Sequence, residues 1–434
     1  MKYLAVSGRP ILHSKSPNIF SAWLRSLGID AQYSRLQAND AASALAQFRD
    51  LDLCGMNVTA PFKETMLPLL DDVVPAVRSI GAVNTVLRDD SGKIRGYNTD
   101  HLAVVGALRQ RGFHLAGKKC LVLGAGGAGR AAAFGLVNAG AVVTILNRTS
   151  ERARQAAAVI GCQAAPLSAL AGLLADADLL VSTLPGDASG QLPLIFKSNL
   201  WVFDADYRNA VAASAAEAKG CQVLRGEVWL TEQARAAFDL FFPEMKGASL
   251  PAPDIAAPVF ERGKCANISL IGFMGSGKSA VGRLLAEKTG MDFVDCDAEI
   301  EKAAGRTIAD IFKQDGEAGF RCRETEAVAV LTRSRGVVMA CGGGAVLTPA
   351  NVHVLRQNSL VVCLTVDPLV CRERLSNGSR PLLAAADPEA KARQLLAQRF
   401  PLYFSTADLL VNGEKAAKEV VHAISDEISP FIGH

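Results

Sequence analysis

Residues 272–279 read Gly-Phe-Met-Gly-Ser-Gly-Lys-Ser, a loop with the composition needed to hold a phosphate. The apolar run from Ile268 to Ile271 precedes it and a helix-like stretch follows, so the order is strand, loop, helix. Gly272, Gly275 and Gly277 let backbone N–H groups close around phosphate oxygens with no Cβ in the way, and the helix start behind them favours an anion. Lys278 would neutralise the β and γ phosphates, and the Ser279 hydroxyl could ligate Mg²⁺. The motif implies a nucleoside triphosphate and leaves the acceptor open. The next apolar run, residues 291–297, ends in Asp295 and Asp297. Spacing of two puts both carboxylates on one side of a strand end. One could hold the hydration shell of Mg²⁺ while the other takes a proton from a hydroxyl; alone, such a pair is as compatible with a solvated turn.

A second glycine cluster lies in the first half. Gly124-Ala-Gly126-Gly127-Ala-Gly129 follows the strand-like run from Lys118 to Leu123 and opens a helix-like stretch, after which residues 141–147 form another strand-like run. This is G-x-G-x-x-G in a β-α-β context, the turn that binds a dinucleotide pyrophosphate. Where a carboxylate would meet an NAD ribose, the chain has Asn147-Arg148-Thr149, with Arg152 soon after. Arginine attracts a 2′-phosphate and a carboxylate would repel it, so NADP is expected over NAD.

The elements that must position these groups alternate along almost the whole chain. Strand-like runs at 118–124, 141–147, 177–184, 337–344 and 360–366 are separated by Ala-, Leu-, Glu- and Arg-rich segments at helical spacing, the pattern of α/β domains with parallel sheets. Residues 248–266 break the rhythm with three prolines and read as an interdomain linker. The expected division is therefore 1–247, linker 248–266, and 267–434. Within the first part, a dinucleotide-binding subdomain over 106–227 would interrupt a substrate subdomain formed by 1–105 and 228–247. At 434 residues and 50% hydrophobic content, each part is long enough to bury its own core.

The same composition excludes several classes of function. A net charge of +3 is spread without a basic block, which argues against nucleic acid. The apolar stretches are short or broken by Asp, so no membrane span and no signal peptide are expected. Ten cysteines without a C-x-x-C and six histidines without ligand spacing fit a reducing cytoplasm and no zinc site.

The residues after the phosphate loop carry a resemblance. Gly319-Phe320-Arg321-Cys322-Arg323-Glu324, Gly342-Gly343-Gly344, Arg380-Pro381-Leu382-Leu383 and Arg399-Phe400-Pro401-Leu402-Tyr403 follow it in order, and the segment from about Asn267 onward closely resembles shikimate kinase. The resemblance implies a P-loop fold of the nucleoside monophosphate kinase type, with ATP and Mg²⁺. It makes Asp297 the base toward the 3-hydroxyl of shikimate and puts Asp295 on Mg²⁺ through water. Arg321 and Arg399 would pair with the substrate carboxylate, Glu324 would orient the arginine, and Gly343 and Gly344 would face the ring. Arg380 would reach the ATP phosphates from a lid. Cys341 stands where the family often has a hydroxyl residue.

In the first half, Ser14-Lys15-Ser16-Pro17, Asn57-Val58-Thr59 with Pro61-Phe62-Lys63, Gly81-Ala82-Val83-Asn84-Thr85 and Gly96-Tyr97-Asn98-Thr99-Asp100 are singly no more than polar turns. Together they resemble shikimate dehydrogenase over residues 1–247. The resemblance implies a substrate subdomain, a Rossmann subdomain and NADP(H). Ser14 and Ser16 would hold the substrate carboxylate, and Lys63 and Asp100 would form the catalytic pair. Asn57, Thr59, Asn84 and Gln233 would bind the remaining polar groups. Tyr207 and Gly226 survive from segments that flank the nicotinamide, but Ala205, Asp206 and Val228 depart from the family pattern.

Two constellations converge on one metabolite, so a bifunctional enzyme turning 3-dehydroshikimate into shikimate and then shikimate 3-phosphate is expected. A dehydrogenase that also takes quinate is the first alternative. The second, a non-catalytic regulatory half, is disfavoured by the presence of Lys63, Asp100, Lys278 and Asp297. Because no motif is shared across the linker, the sequence also implies two autonomous enzymes with shikimate released between them.

Overall fold

A computed structural model describes residues 1–255, 259, 266–375 and 388–431 of the chain. Arg380 lies outside the described residues. The chain groups into two compact units that do not follow the proline-rich segment. The first combines Met1–Pro17 and Asp30–Leu51 with the described residues of 256–434, and the second combines Asn18–Ile29 with Asp52–Ile255.

The first unit is built on parallel strands. Their order is Asp292–Asp295, Val337–Ala340, Ile268–Ile271, Leu360–Thr365, Leu409–Asn412, Ala31–Gln37 and Lys2–Gly8. The central strands Ile268–Ile271 and Leu360–Thr365 are continuous apolar runs buried almost throughout, as strands covered on both faces must be. Strand order reverses at Ile268–Ile271, whose C-terminal end carries the phosphate loop; an open α/β sheet offers its ligand crevice at such a switch point.

The last two strands of this unit come from the first half of the sequence. Leu409–Asn412 would otherwise end the sheet with a row of unpaired backbone groups, an open template for another strand. Ala31–Gln37 pairs with it instead, with Leu36 opposite Leu410. Tyr3 extends the contact, its ring centroid 5.0 Å from that of Phe400 and 4.9 Å from that of Phe404.

The second unit holds a six-stranded parallel sheet. Its order is Gln222–Leu224, Trp201–Asp204, Leu179–Ser182, Lys119–Leu123, Val142–Asn147 and Gln163–Pro166. This is a doubly wound Rossmann sheet with its switch point beside Lys119–Leu123, where the glycine turn follows. Four shorter strands make the substrate part of this unit: Gly55–Val58, Thr85–Arg88 and Ile94–Tyr97 run antiparallel, and Asp72–Val73 pairs with the last of them in parallel. The helices Asp100–Gln110 and Gly226–Phe241 pack on each other. Gly106, placed at a subdomain boundary from the sequence, lies inside the first of these helices.

The described start of the proline-rich segment is packed. The Trp23 indole N–H donates to the Pro251 carbonyl at 2.9 Å, and Ile255 is buried. Trp23 in turn meets Phe20 and Phe238, each at a centroid distance of 5.7 Å. Pro251 and Ile255 therefore anchor the start of this segment.

Candidate active sites

In the second unit, the short helix Phe62–Thr65 carries Lys63, and the helix Asp100–Gln110 begins with Asp100. The Lys63 ammonium lies 2.6 Å from Asp100 Oδ2. The other oxygen, Oδ1, accepts the Trp229 indole N–H at 3.0 Å. Asp100 is 3% exposed, so the two hydrogen bonds its carboxylate accepts lie in a dry setting where charge-assisted hydrogen bonds are strong. Its backbone N–H donates to Asn98 Oδ1 at 3.0 Å, which fixes the helix start.

A buried polar chain leads to this pair. Asn57 Nδ2 donates to Thr85 Oγ1 at 3.0 Å, Thr85 Oγ1 donates to Asn84 Oδ1 at 3.0 Å, and Asn84 Nδ2 donates to Thr99 Oγ1 at 2.9 Å. Asn84 Oδ1 also accepts the Thr99 N–H at 2.7 Å. Thr59 is half-buried, and its carbonyl accepts the Phe62 N–H at 2.9 Å. Gln233 stands four residues after Trp229 on the same helix, hence on the same face. Its amide donates to its own helix at the Leu230 carbonyl, at 3.0 Å.

The glycine turn abuts Lys63. A Cβ on Gly127 would stand 3.4 Å from the Lys63 side chain and 3.1 Å from Ala82. On Gly129 it would meet the Gly124 carbonyl at 2.0 Å, so helix and strand approach closely only because that residue is glycine. Gly124, at φ +106°, has the left-handed backbone that favours glycine. By contrast, a Cβ on Gly126 would meet nothing within 4 Å. That open space lies at the start of the twelve-residue helix Gly127–Asn138, whose N-terminal amides suit an anion. Asn147 Oδ1 accepts the Ala125 N–H at 3.3 Å and so braces the turn. Arg148 and Thr149 are exposed beside it, while Arg152 pairs with Glu64 at 3.5 Å.

The departures from the family pattern have local work to do. Asp206 Oδ2 accepts the Gly186 N–H at 3.0 Å, and its Oδ1 accepts the N–H groups of Arg208 at 2.9 Å and Asn209 at 3.2 Å. It therefore shapes the turn that carries Tyr207. Gly226 is required there, since a Cβ would meet the Ala205 carbonyl at 2.6 Å and the Tyr207 nitrogen at 2.7 Å. Val228 packs partly buried against the core of the Rossmann sheet.

The first unit holds Ser14 and Ser16, both buried, on the turn that leads into the helix Ser16–Ser26. Ser14 Oγ accepts the Ser16 N–H at 3.3 Å.

The same unit holds the phosphate loop. Gly275 and Gly277 have positive φ, and Gly277 caps the helix Lys278–Thr289. The Lys278 ammonium donates to the carbonyls of Gly272 at 2.9 Å and Phe273 at 3.0 Å. Ser279 Oγ donates to Asp295 Oδ2 at 2.6 Å. Asp295 and Asp297 do not share a strand as their spacing implied. The strand stops at Asp295, whose Oδ1 accepts the N–H of Asp297 at 3.1 Å, and Asp297 lies in the first turn of the helix Cys296–Ala304. The cap separates the two carboxylates: Asp295 stays with Ser279, and Asp297 turns into a cavity.

That cavity has a volume of about 440 Å³ and is lined by Asp297, Arg321, Glu324, the three glycines 342–344 and Arg399. The volume suits a small polar metabolite. A Cβ on Gly342 would come within 2.9 Å of Asp297 Oδ1, and one on Gly344 within 2.4 Å of the Arg321 guanidinium. The Gly343 carbonyl accepts from Tyr403 at 2.5 Å and from Arg399 at 3.3 Å. Gly342 and Gly344 thus keep side chains away from Glu324, Asp297 and Arg321. Arg321 and Glu324 face the cavity from the long helix Ile308–Leu331, which is kinked at Gly316. Glu324 is fully buried; burial raises its pKa, and Arg321, at 2.7 Å, opposes the rise. The Cys341 thiol is pushed up to about 12 by burial and stays neutral, consistent with a packing role.

Three residues in these sites carry no sequence signal. Trp229 reaches Asp100 across 129 positions. Arg130 ties the two parts of its unit together through the carbonyls of Ile80, Gly81 and Ala125. Arg374 donates to the Gly413 and Glu414 carbonyls at 2.9 Å each and is the nearest group, at 3.7 Å, to where a Cβ on Gly277 would stand. Tyr403 was visible in its motif, but its hydroxyl contact with Gly343 was not. No cluster of three or more His, Cys, Asp or Glu among the described residues could hold a metal. Mg²⁺ needs no such cage, because it is commonly bound by one or two carboxylates with substrate phosphates and water, and Ser279 with Asp295 fits that use.

Known proteins fall on the same division of chemistry. Residues 6–86 match the family described as the shikimate dehydrogenase substrate binding domain, residues 107–199 that described as shikimate / quinate 5-dehydrogenase, and residues 274–429 that described as shikimate kinase. A shikimate dehydrogenase (NADP(+)) of Moorella thermoacetica is 35% identical over 257 residues, 55% of this chain and 87% of that protein. A shikimate kinase of Thiobacillus denitrificans is 48% identical over 147 residues, 34% of this chain and 80% of that one. The crystal structure of shikimate 5-dehydrogenase from Thermus thermophilus, in complex with NADP(H) and shikimate, is 36% identical with a TM-score of 0.52. It covers 58% of this chain and 96% of that one.

Proposed function

The chain belongs to the shikimate dehydrogenase family in its first half and to the shikimate kinase family in its second, and from that membership we propose how its own residues carry out the two reactions. It is a bifunctional enzyme of aromatic biosynthesis that reduces 3-dehydroshikimate to shikimate and phosphorylates shikimate. The observation that carries the assignment of roles is that each half sets a proton-transfer group against its nucleotide or substrate groups. Lys63 lies beside Gly127, and Asp297 shares a cavity with Arg321 and Arg399.

In the first half, Ser14 and Ser16 bind the substrate carboxylate, and Asn57, Thr59, Asn84 and Gln233 bind its other polar groups. Lys63 Nζ gives a proton to the carbonyl oxygen as it becomes a hydroxyl, and Asp100 holds the ammonium in place. Gly124, Gly126, Gly127 and Gly129 would hold NADPH, which would supply the hydride, and Tyr207 and Gly226 would face the nicotinamide. Asn147, Arg148, Thr149 and Arg152 would bind the ribose phosphate. Arg148 is exposed and makes no hydrogen bond or ion pair with another described residue, which supports its reading the 2′-phosphate. Arg148→Asp is expected to raise KM for NADPH about 10- to 100-fold, since a charged contact is replaced by repulsion, and to leave KM for NADH within about twofold. Initial rates with both cofactors check it; equal losses for the two would remove Arg148 from that role.

In the second half, Arg321 and Arg399 take the shikimate carboxylate, and Glu324 holds Arg321 in position. Asp297 removes the proton from the 3-hydroxyl as the phosphoryl group arrives. Gly275, Gly277 and Lys278 receive the ATP phosphates, and Arg380, outside the described residues, is assigned to the same phosphates. Ser279 and Asp295 would hold Mg²⁺, which would neutralise phosphate charge.

We propose a cytoplasmic setting, which the nine free described cysteines support; no described helix is long and apolar enough to cross a membrane. The substrates are small acids. Rates with shikimate and quinate as alternative alcohols test the specificity of the first half. Comparable kcat/KM on both would replace a shikimate dehydrogenase by a broad one.

A further inference from the structure

Ser14 and Ser16 sit on a turn whose backbone is held in part by Glu427, 416 positions from Ile11. The turn closes on itself through the Ser14 N–H, which donates to the Ile11 carbonyl at 2.9 Å. Its two leading amides, Ile11 N–H and Leu12 N–H, both donate to one atom, Oε2 of Glu427, at 2.7 and 2.8 Å. Glu427 belongs to the helix Ala417–Ile428 within the region that matches shikimate kinase. Ile11, Leu12 and Glu427 are each fully buried, so these amides have no water to fall back on. The other oxygen, Oε1, is buried without a hydrogen-bond partner among the described residues.

At the other end of the turn, Arg35 donates from Nη2 at 2.6 Å and from Nε at 3.0 Å to the Ser14 carbonyl. Its Nη1 lies 3.4 Å from the carbonyl of Asp408, a residue of the kinase half whose own carboxylate accepts the Val361 N–H at 2.9 Å. Arg9 and Asp426 add an ion pair at 2.7 Å on the outer side. All of these groups lie in the first compact unit.

We propose that Glu427, a residue of the kinase half, is a positioning residue for the dehydrogenase half: it fixes the Ile11–Ser14 turn that presents Ser14 and Ser16 to the substrate carboxylate. The inference rests on the assignment of those serines made above. It follows from the physics of the contact. A single acceptor satisfies two adjacent buried amides, and without it the turn must rotate to find other partners, carrying Ser14 with it. Such a change weakens substrate binding and leaves the Lys63–Asp100 pair untouched, because none of these bonds involves Lys63 or Asp100. The dehydrogenase half of this chain is then complete only with the last helix of the kinase half in place.

The test uses the full chain. Glu427→Leu keeps a side chain of similar bulk and removes the acceptor. Glu427→Gln keeps a carbonyl that can take the place of Oε2 and puts its NH₂ where Oε1 has no partner. The Leu variant is expected to raise KM for 3-dehydroshikimate about tenfold or more while kcat stays within about twofold, the signature of lost uniform binding. KM and kcat of the kinase reaction should be unchanged, and Gln should restore the wild-type KM. An unchanged KM in the Leu variant overturns the proposal, as does a Gln variant that behaves like Leu. Should the Leu variant fail to fold, Glu427→Asp withdraws the acceptor by one methylene, and an unaltered KM there overturns it equally. If the unmodified chain reduces no 3-dehydroshikimate at all, it is the dehydrogenase reading that falls, a result seen before any variant is made.

Discussion

Asp297→Asn in the full chain is expected to lower kcat for shikimate phosphorylation by about 10²- to 10⁴-fold, the range for loss of a positioned general base. Asn keeps the size of the side chain and most of its hydrogen-bonding capacity, so the cavity with Arg321 and Arg399 should keep its shape. Asp297 is also one of the charges that raise the pKa of Glu324, after burial; removing it relieves repulsion between two carboxylates and should not destabilise the site. ATP binding, which depends on the phosphate loop, should survive, and the dehydrogenase rate should not change. Stopped assays for ADP, with NADPH oxidation as the internal control, check both. Normal turnover by the Asn variant would take Asp297 out of the reaction.

Lys63→Ala should lower dehydrogenase kcat over a similar range, about 10²- to 10⁴-fold, and leave shikimate phosphorylation intact. Lys63 is the cation 2.6 Å from a nearly inaccessible carboxylate that Trp229 also holds. The Ala variant removes the proton donor and leaves Asp100 with the indole alone. Because Lys63 retains some exposure, water can enter the space it leaves, so the expected loss is in rate more than in folding. A variant that oxidises NADPH at the wild-type rate would show that the proton comes from elsewhere.

Much of both sites was legible because their chemistry is local in sequence. The loop at 272–279 and the turn at 124–129 bind phosphate with contiguous backbone, and a contiguous motif can be read directly. The roles of Arg321, Glu324 and the triple glycine came from family resemblance; the cavity gives them a physical reason, since a side chain on Gly342 or Gly344 would collide with the groups it serves. Asp295 and Asp297 were misplaced because a period-two reading assumes that the strand continues. Asp295 is instead a helix N-cap, a common use for Asp at that position. What could not be read was the long-range pairing. Leu36 meets Leu410, and Glu427 meets Ile11, across gaps that leave no spacing in the sequence. An edge strand that needs a neighbour does not announce which strand will supply it. The same holds for Trp229, an apolar residue on an amphipathic helix until Asp100 is found at its indole N–H.

One chain should perform both reactions in sequence, and a single mixture shows it. Purified full-length protein is given 3-dehydroshikimate, NADPH and MgATP, and NADPH oxidation and ADP release are followed in the same sample. NADPH should fall first, ADP should follow after a lag, and the two should reach the same final amount. With Lys63→Ala both signals should vanish from 3-dehydroshikimate, while added shikimate still yields ADP. NADPH oxidation without ADP, or ADP formation from shikimate with no reduction of 3-dehydroshikimate by the unmodified chain, would contradict it.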